Sequence, residues 1–214
     1  MLFLLRLQKE DIREIIFQLT DTFNQEKDFL NDLDSKIGDG DHGLSMSRGF
    51  NAISKYIAKN PDISISDILI KGGIQFNEVT GSTIGILMFS AMRAAGKAMQ
   101  DKSDIDLRDL RKMLAVSIEA IQNRGKSSRG QKTILDSLIP TLEYLESKKN
   151  DNKSKVIKDT INIAYQSAQS TKELESQIGR AKWFKERSVG VMDPGAYTGY
   201  LMIKTIGEYI LERL

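Results

Sequence analysis

Leu107-Arg108-Asp109-Leu110-Arg111-Lys112-Met113-Leu114-Ala115-Val116-Ser117-Ile118-Glu119-Ala120-Ile121 carries its apolar side chains at 107, 110, 113, 114, 118 and 121. Steps of three and four residues put these on one face of an α-helix, with the charged residues opposite. Ile12, Ile15, Ile16, Leu19 and Phe23 form a second stripe of the same kind. Further helical patterns run over Ser45–Ile57, Ile86–Met99, Lys132–Leu145, Lys155–Ser170 and Ala196–Leu211. β-branched runs with period two are nearly absent, and only three prolines interrupt the chain. The sequence predicts an all-α protein.

The stretches between these patterns are polar or contain glycine: Gly38–Gly43, Lys59–Asp62, Thr80–Gly85, Gly125–Gly130, Ser147–Ser154 and Gly179–Gly195. Short links favour antiparallel neighbours, so an up-and-down bundle is expected. The last link is long for a compact domain, and loops of that length are often functional. With 214 residues, 40% of them hydrophobic, the chain can bury a full core and is expected to form one domain over residues 1–214.

Composition excludes several kinds of chemistry. There is no cysteine, so thiolate catalysis, disulfides and zinc–sulfur centres are ruled out; one histidine leaves little room for a Ser-His-Asp triad. Lys+Arg 31 against Asp+Glu 29 gives a net charge of only +2, which supplies no electrostatic reason to bind nucleic acid or an anionic membrane. Met1-Leu2-Phe3-Leu4-Leu5 is apolar, but charged residues follow from Arg6, and the run is far shorter than the ~18 residues of a membrane span. A soluble, unprocessed, cytoplasmic protein is expected.

The chemistry concentrates in Asp34-Ser35-Lys36-Ile37-Gly38-Asp39-Gly40-Asp41-His42-Gly43, where three carboxylates fall within eight residues. Glycines let the backbone fold back so that side chains near in sequence converge. Converging carboxylates repel one another unless a cation neutralises them, and magnesium suits a site with few carboxylates and room for water and phosphate oxygens. An EF-hand beginning at Asp39 would need a ligand at position 43 and Glu at position 50, where Gly43 and Phe50 stand. Gly38 and Gly43 have P-loop spacing, but Leu44 replaces the phosphate-binding lysine. The competing structural reading is a helix–loop–helix turn in which Asp39 or Asp41 caps the helix beginning near Gly43. Asp34, His42 and Gly43 beside the Asp-Gly-Asp run favour a cation site. For His42 alone, a structural or capping role is expected.

Other turns offer phosphate contacts. Thr80-Gly81-Ser82-Thr83 precedes an apolar helix, and such a turn either exposes amides to a phosphate or simply caps the helix. Gly125-Lys126-Ser127-Ser128-Arg129-Gly130 is a basic loop that could reach a phosphate or form a solvated junction. In the late link, Asp193-Pro194-Gly195 reads as a helix start with Asp193 as N-cap. Arg180 and Arg187 could answer phosphate charge. Trp183 and Phe184 are expected to pack rather than stack on a base.

In order, Gly38-Asp39-Gly40-Asp41-His42-Gly43, Arg124-Gly125-Lys126, Gly130-Gln131-Lys132-Thr133, Gly179-Arg180-Ala181, Glu186-Arg187-Ser188-Val189-Gly190 and Asp193-Pro194-Gly195 resemble the ADP-binding L subunits of phosphotransferase-system-dependent dihydroxyacetone kinases. The resemblance runs from the first helix onward. It implies an up-and-down barrel of eight amphipathic helices with a nucleotide pocket at one end. By the same resemblance Asp34, Asp39 and Asp41 hold two magnesium ions. His42, Gly43, Leu44, Ser45, Ser82, Thr83, Gly125, Ile134, Arg180, Asp193, Pro194 and Gly195 contact the nucleotide. It further implies ADP held as a bound coenzyme and recharged to ATP by a phosphohistidine carrier subunit of M type. The γ-phosphoryl then passes to dihydroxyacetone held on a histidine of the K subunit. Such transfer needs positioning and charge neutralisation rather than a protein nucleophile, which one histidine and no cysteine allow.

The sequence departs from the family pattern at Ser45 (usually Asn), Ile134 (usually Met), Val191 (usually His) and Thr80-Gly81-Ser82-Thr83-Ile84-Gly85. Ile84 in place of glycine argues against close backbone approach there, because a β-branched residue resists positive φ. These departures keep open a second reading, a divergent, non-catalytic paralogue that senses nucleotide and docks on a transcriptional regulator. Fatty-acid-kinase domains, a third comparison, typically carry Asp-Gly-Asp-Thr-Gly, against which His42 stands.

Overall fold

The computed structural model describes residues 5–148 and 152–214. Most of the apolar opening run and the tip of the Ser147–Ser154 link lie outside them. Among the described residues there are nine α-helices: α1 (Lys9–Gln25), α2 (Lys27–Ser35), α3 (His42–Lys59), α4 (Ile65–Thr80), α5 (Thr83–Ala98), α6 (Leu107–Gly125), α7 (Leu135–Ser147), α8 (Lys153–Ser170) and α9 (Pro194–Leu211). Two-residue strands β1 (Leu7–Gln8) and β2 (Asp104–Ile105) pair antiparallel. This small ladder is the departure from a purely helical chain. No helix among the described residues is long and apolar enough to cross a membrane.

Local chemistry sets the helix ends. Ser64, Ser82, Asp106, Asn152 and Asp193 each accept an amide hydrogen bond from the first turn that follows. Gly81 closes α4 in the left-handed region at φ 55°. The turn before α5 therefore uses Gly81 for its positive φ, and Ile84 is an ordinary helical residue.

Contacting pairs give the direction of packing. Along α1 and α3, Arg13 reaches Ile57, Thr20 reaches Ser54 and Asn24 reaches Ser47, so one number rises as the other falls. Gly49 meets Phe76 and Gly72 meets Ile53, which makes α3 and α4 antiparallel. Gly73 against Met92, and Gly96 against Leu69, do the same for α4 and α5. By contrast Gly195 lies on Ile134 and Gly199 on Leu138, so α7 and α9 run parallel. From α3 onward each helix packs on its successor, α1 packs on α3, and α9 packs back against α1. That is the eight-helix up-and-down arrangement, with α2 as an additional element beside α3 and α9. Alternation puts the N-termini of α3, α5, α7 and α9 at one end.

The core begins with Phe50, fully buried, stacked on Phe23 at 4.8 Å between ring centroids and edge-on to Phe76 at 5.6 Å. Between the helices lies an apolar cavity of about 540 Å³ lined by Ile16, Leu19, Met88, Met92, Leu138 and Ile206 among others. It is remote in chemistry from the acidic loop, none of whose carboxylates lines it. Phe50→Ala should lower unfolding free energy by about 3–5 kcal/mol, because both ring contacts and the filled volume are lost. Urea denaturation reads this as a lower midpoint at unchanged slope; a loss under about 1 kcal/mol would show that the three-ring cluster does not anchor the helices.

Candidate metal and nucleotide site

Asp34, Asp39 and Asp41 come together at the shared end, each offering a carboxylate oxygen within 4.8 Å of the others. Asp34 lies in the last turn of α2, half-buried, while Asp39 and Asp41 are exposed on the turn that follows. Gly38 makes the convergence possible: a Cβ there would lie 2.2 Å from Asp34 Oδ1. Gly40 takes φ 77°, the reversal that returns the chain toward α3.

Asp41 occupies the N-cap position of α3, but its side chain makes no capping bond. Asp34 does that work from across the turn: Asp41 N and His42 N donate to Asp34 Oδ2 at 3.0 and 3.3 Å. Leu44 N donates to Asn31 Oδ1 at 3.0 Å, one turn earlier on α2. Capping by Asp39 or Asp41 is thus corrected, since the caps come from α2. Gly43 allows this approach, because a Cβ would fall 2.0 Å from the Lys27 carbonyl oxygen. Ser45 is buried in the first turn.

His42 contacts Thr198 Oγ1 through Nε2 at 2.8 Å, pinning α3 to α9. Loss of hydration pushes its imidazole down to about 4, so it is neutral at physiological pH. On α9, Asp193 accepts from Ala196 N at 2.6 Å and Pro194 holds the first helical position, as the sequence predicts. Burial, with the charges of Asp136 and Asp34 adding to it, pushes the Asp193 carboxyl up to about 7. Gly195 abuts Ile134: a Cβ would sit 3.2 Å from the Ile134 amide nitrogen. Ser82 and Thr83 begin α5, where Ser82 accepts from Gly85 N at 3.4 Å. Gly125 ends α6 against Leu87 of α5, and Leu87 packs in the same cluster as Ile134. Each candidate therefore sits at the same end of the bundle.

Arg180 reaches Asp39 as an ion pair from the link between α8 and α9. That link is built of short 3-10 turns over Thr171–Glu173, Arg180–Trp183 and Lys185–Ser188. Trp183 does not pack as expected: it is 73% exposed, with Lys182 above its ring at 4.9 Å. Phe184 is half-buried under the Arg187 guanidinium. Reading the sequence overlooks Asn31, Asp136 and Thr198. Asn31 lies three residues before Asp34 on the same helix face, a spacing that could have revealed it. Asp136 fastens the Gly130–Thr133 turn by accepting from both ends of it, at 2.5 and 2.7 Å.

One guanidinium does not offset three gathered carboxylates, and the helix N-terminus behind Asp34 supplies only partial positive charge. The oxygens are spaced on the scale of a divalent ion's shell, about 4.2 Å across for magnesium. These all-oxygen donors fit magnesium, which supplies positive charge to phosphate oxygens when bound.

A DAK2 domain model matches residues 36–208. The chain is 34% identical to the ADP-binding subunit DhaL of PEP-dependent dihydroxyacetone kinase 1 from Listeria innocua, over 83% of this chain and 85% of that one. It is 31% identical to the DhaL subunit of the Escherichia coli enzyme, over 94% of this chain and 96% of that one. The crystal structure of the dihydroxyacetone kinase of C. freundii in complex with AMP-PNP and Mg2+ superposes with a TM-score of 0.70 at 21% identity, covering 96% of this chain. This chain spans 35% of that protein's length.

His42 being the only histidine, its titration can be followed without interference. Its folded pKa lies below the 6.5 of an unfolded chain, so its contribution to stability falls as pH drops from 6.5 toward 4. Asp193, raised from 3.8 to about 7, has the opposite slope, its contribution falling as pH rises through that window. The two trends oppose each other in any melting curve, so imidazole NMR of metal-free protein is the informative measurement. It should show a midpoint near 4; a midpoint at the ordinary histidine value of 6.5 would place the ring in solvent. By its domain match and its similarity to these subunits over most of both chains, the chain belongs to the DAK2-domain family, among the DhaL-type ADP-binding subunits of dihydroxyacetone kinases.

Proposed function

We propose that this chain carries Mg-ADP/ATP as a bound coenzyme and serves as the phosphotransfer subunit of a dihydroxyacetone kinase. The observation that carries the reading is the convergence of Asp34, Asp39 and Asp41 at the end where α3, α5, α7 and α9 begin. Helix N-termini turn partial positive charge toward phosphate oxygens, while the carboxylates hold the cations that phosphate requires. Two magnesium ions fit the number of carboxylates and the charge of a nucleotide's phosphates. The nucleotide lies across the first turns of α3, α5 and α9, where Gly43 and Gly195 let Lys27 of α2 and Ile134 close against the helix starts. With cations on the carboxylates, the Arg180 guanidinium would turn from Asp39 toward phosphate while its backbone stays over the cluster, adding positive charge to the transferring group.

No covalent step is assigned to these residues, so the chain's part in catalysis is alignment and charge neutralisation. The acceptor, dihydroxyacetone or a related short ketose, is presented by a K-type subunit, and a phosphohistidine carrier of M type recharges the nucleotide. We place this exchange in the cytoplasm, and a transcriptional regulator that reads the nucleotide state is a further partner in this account. The paralogue reading draws on Ser45 and the Thr80–Gly85 turn. Its argument from Ile84 loses force, because Gly81 takes the positive φ.

Wild-type protein should retain ADP through gel filtration in magnesium, and Asp39→Ala should abolish magnesium-dependent ADP binding in calorimetry. Binding unchanged in that variant would refute the site. Mixing the chain with K-type subunit, phosphorylated M-type carrier and dihydroxyacetone should yield dihydroxyacetone phosphate; tight ADP binding with no product would favour the regulatory reading.

A further inference from the structure

Lys132 is 3% exposed and takes φ 62°, an uncommon pairing of a buried ammonium with a left-handed backbone. Its Nζ donates to the Ser188 carbonyl oxygen at 2.6 Å and to that of Leu174 at 3.0 Å. These two carbonyls lie on opposite arms of the α8–α9 link, with Arg180 between them in sequence. Burial lowers the lysine's affinity for its proton, and the charge of Asp193 works against that loss.

The rest of the link is sewn to the same turn. Gln177 N donates to the Gln131 carbonyl at 3.4 Å, and its side chain to the Gly130 carbonyl at 3.4 Å. Ser176 N donates to Ser188 Oγ at 2.9 Å and Gly190 N to the Lys172 carbonyl at 2.7 Å, which closes the two arms on each other. Asp136, by accepting from Gly130 N and Thr133 N, fixes the turn from which Lys132 projects. The residues at the tip, Gly179 to Trp183, are largely exposed. The link is thus held at its base, while its exposed tip reaches out through the Arg180–Asp39 ion pair.

We propose that Lys132 is a positioning residue whose ammonium clamps the two arms of the 171–193 link, so that Arg180 stays over the Asp34–Asp39–Asp41 cluster. The assignment of Arg180 to the nucleotide rests on the function proposed above; the clamp itself does not. Charged hydrogen bonds to carbonyls are stronger than neutral ones, and removing the donor takes this partner from the part-buried Leu174 carbonyl and leaves the Ser188 carbonyl with only the longer bond from Val191 N at 3.4 Å. Lys132 touches neither metal nor nucleotide in this role and acts through Arg180.

Two measurements test this on the intact chain. In Lys132→Met, hydrogen exchange should accelerate at the Ser176 and Gly190 amides while α4 and α5 keep wild-type protection. The dissociation rate of a fluorescent ADP analogue in magnesium should rise roughly tenfold. Arg180→Ala should also speed dissociation, and the double variant should be no faster than Arg180→Ala alone. Lys132→Gln, which keeps amide donors on a shorter side chain, should fall between wild type and Lys132→Met in both readouts. Unchanged exchange at 176 and 190 in Lys132→Met, or additive dissociation rates in the double variant, would overturn the proposal. Should Lys132 variants fail to fold, Arg180→Ala decides: the link should keep its protection there, and losing it would show that Arg180 rather than Lys132 holds it. If wild-type protein binds no Mg-ADP, the nucleotide reading fails and the exchange measurements still judge the clamp.

Discussion

Asp34 joins the architecture to the chemistry. One of its carboxylate oxygens accepts two amide hydrogen bonds at the start of α3, and the same group belongs to the acidic trio. This bond set fixes where α3 begins relative to α2, and so where the Gly38–Gly43 turn can travel. The partial positive charge at the helix N-terminus makes it tolerable for a carboxylate to sit beside two others. Gly38 and Gly43 are the steric conditions for this arrangement, because a Cβ at either would collide with Asp34 or with the backbone of α2.

The up-and-down topology turns that local arrangement into a site. Alternating helices return every second N-terminus to the same end, and short contacts lock the ends together: His42 to Thr198, Gly195 to Ile134, and Gly125 to Leu87. The apolar interior, with Phe23, Phe50 and Phe76 packed together, supports this end without taking part in its chemistry. In the proposed function, phosphate recognition at helix starts would follow from connectivity and need few specialised side chains.

The amphipathic stripes of α1 and α6 are plain in the sequence because their polar faces stay exposed. α4 is harder to read: Gly72 and Gly73 at its centre are poor helix formers, yet they are where Ile53 of α3 and Met92 of α5 come close. α2 is short and continues α1 across a single residue, so no composition change announces it. At the site, the three aspartates and the Asp193–Pro194 start are legible because their residue types and spacing carry direct chemical meaning. Capping from Asp34 and Asn31 is not, since it depends on how α2 and α3 cross. The expected packing of Trp183 fails for a similar reason: the link is fastened at its base by Lys132, leaving its aromatic tip in solvent.

The central claim is that the acidic turn gathers divalent ions against a nucleotide's phosphates. Anomalous diffraction from crystals grown with ADP and manganese in place of magnesium tests it most directly. The account predicts metal peaks bonded to carboxylate oxygens of Asp34, Asp39 and Asp41, with the diphosphate between them and the first turn of α3. Clear ADP density with no metal at these three residues, or metal peaks bound elsewhere, would contradict it.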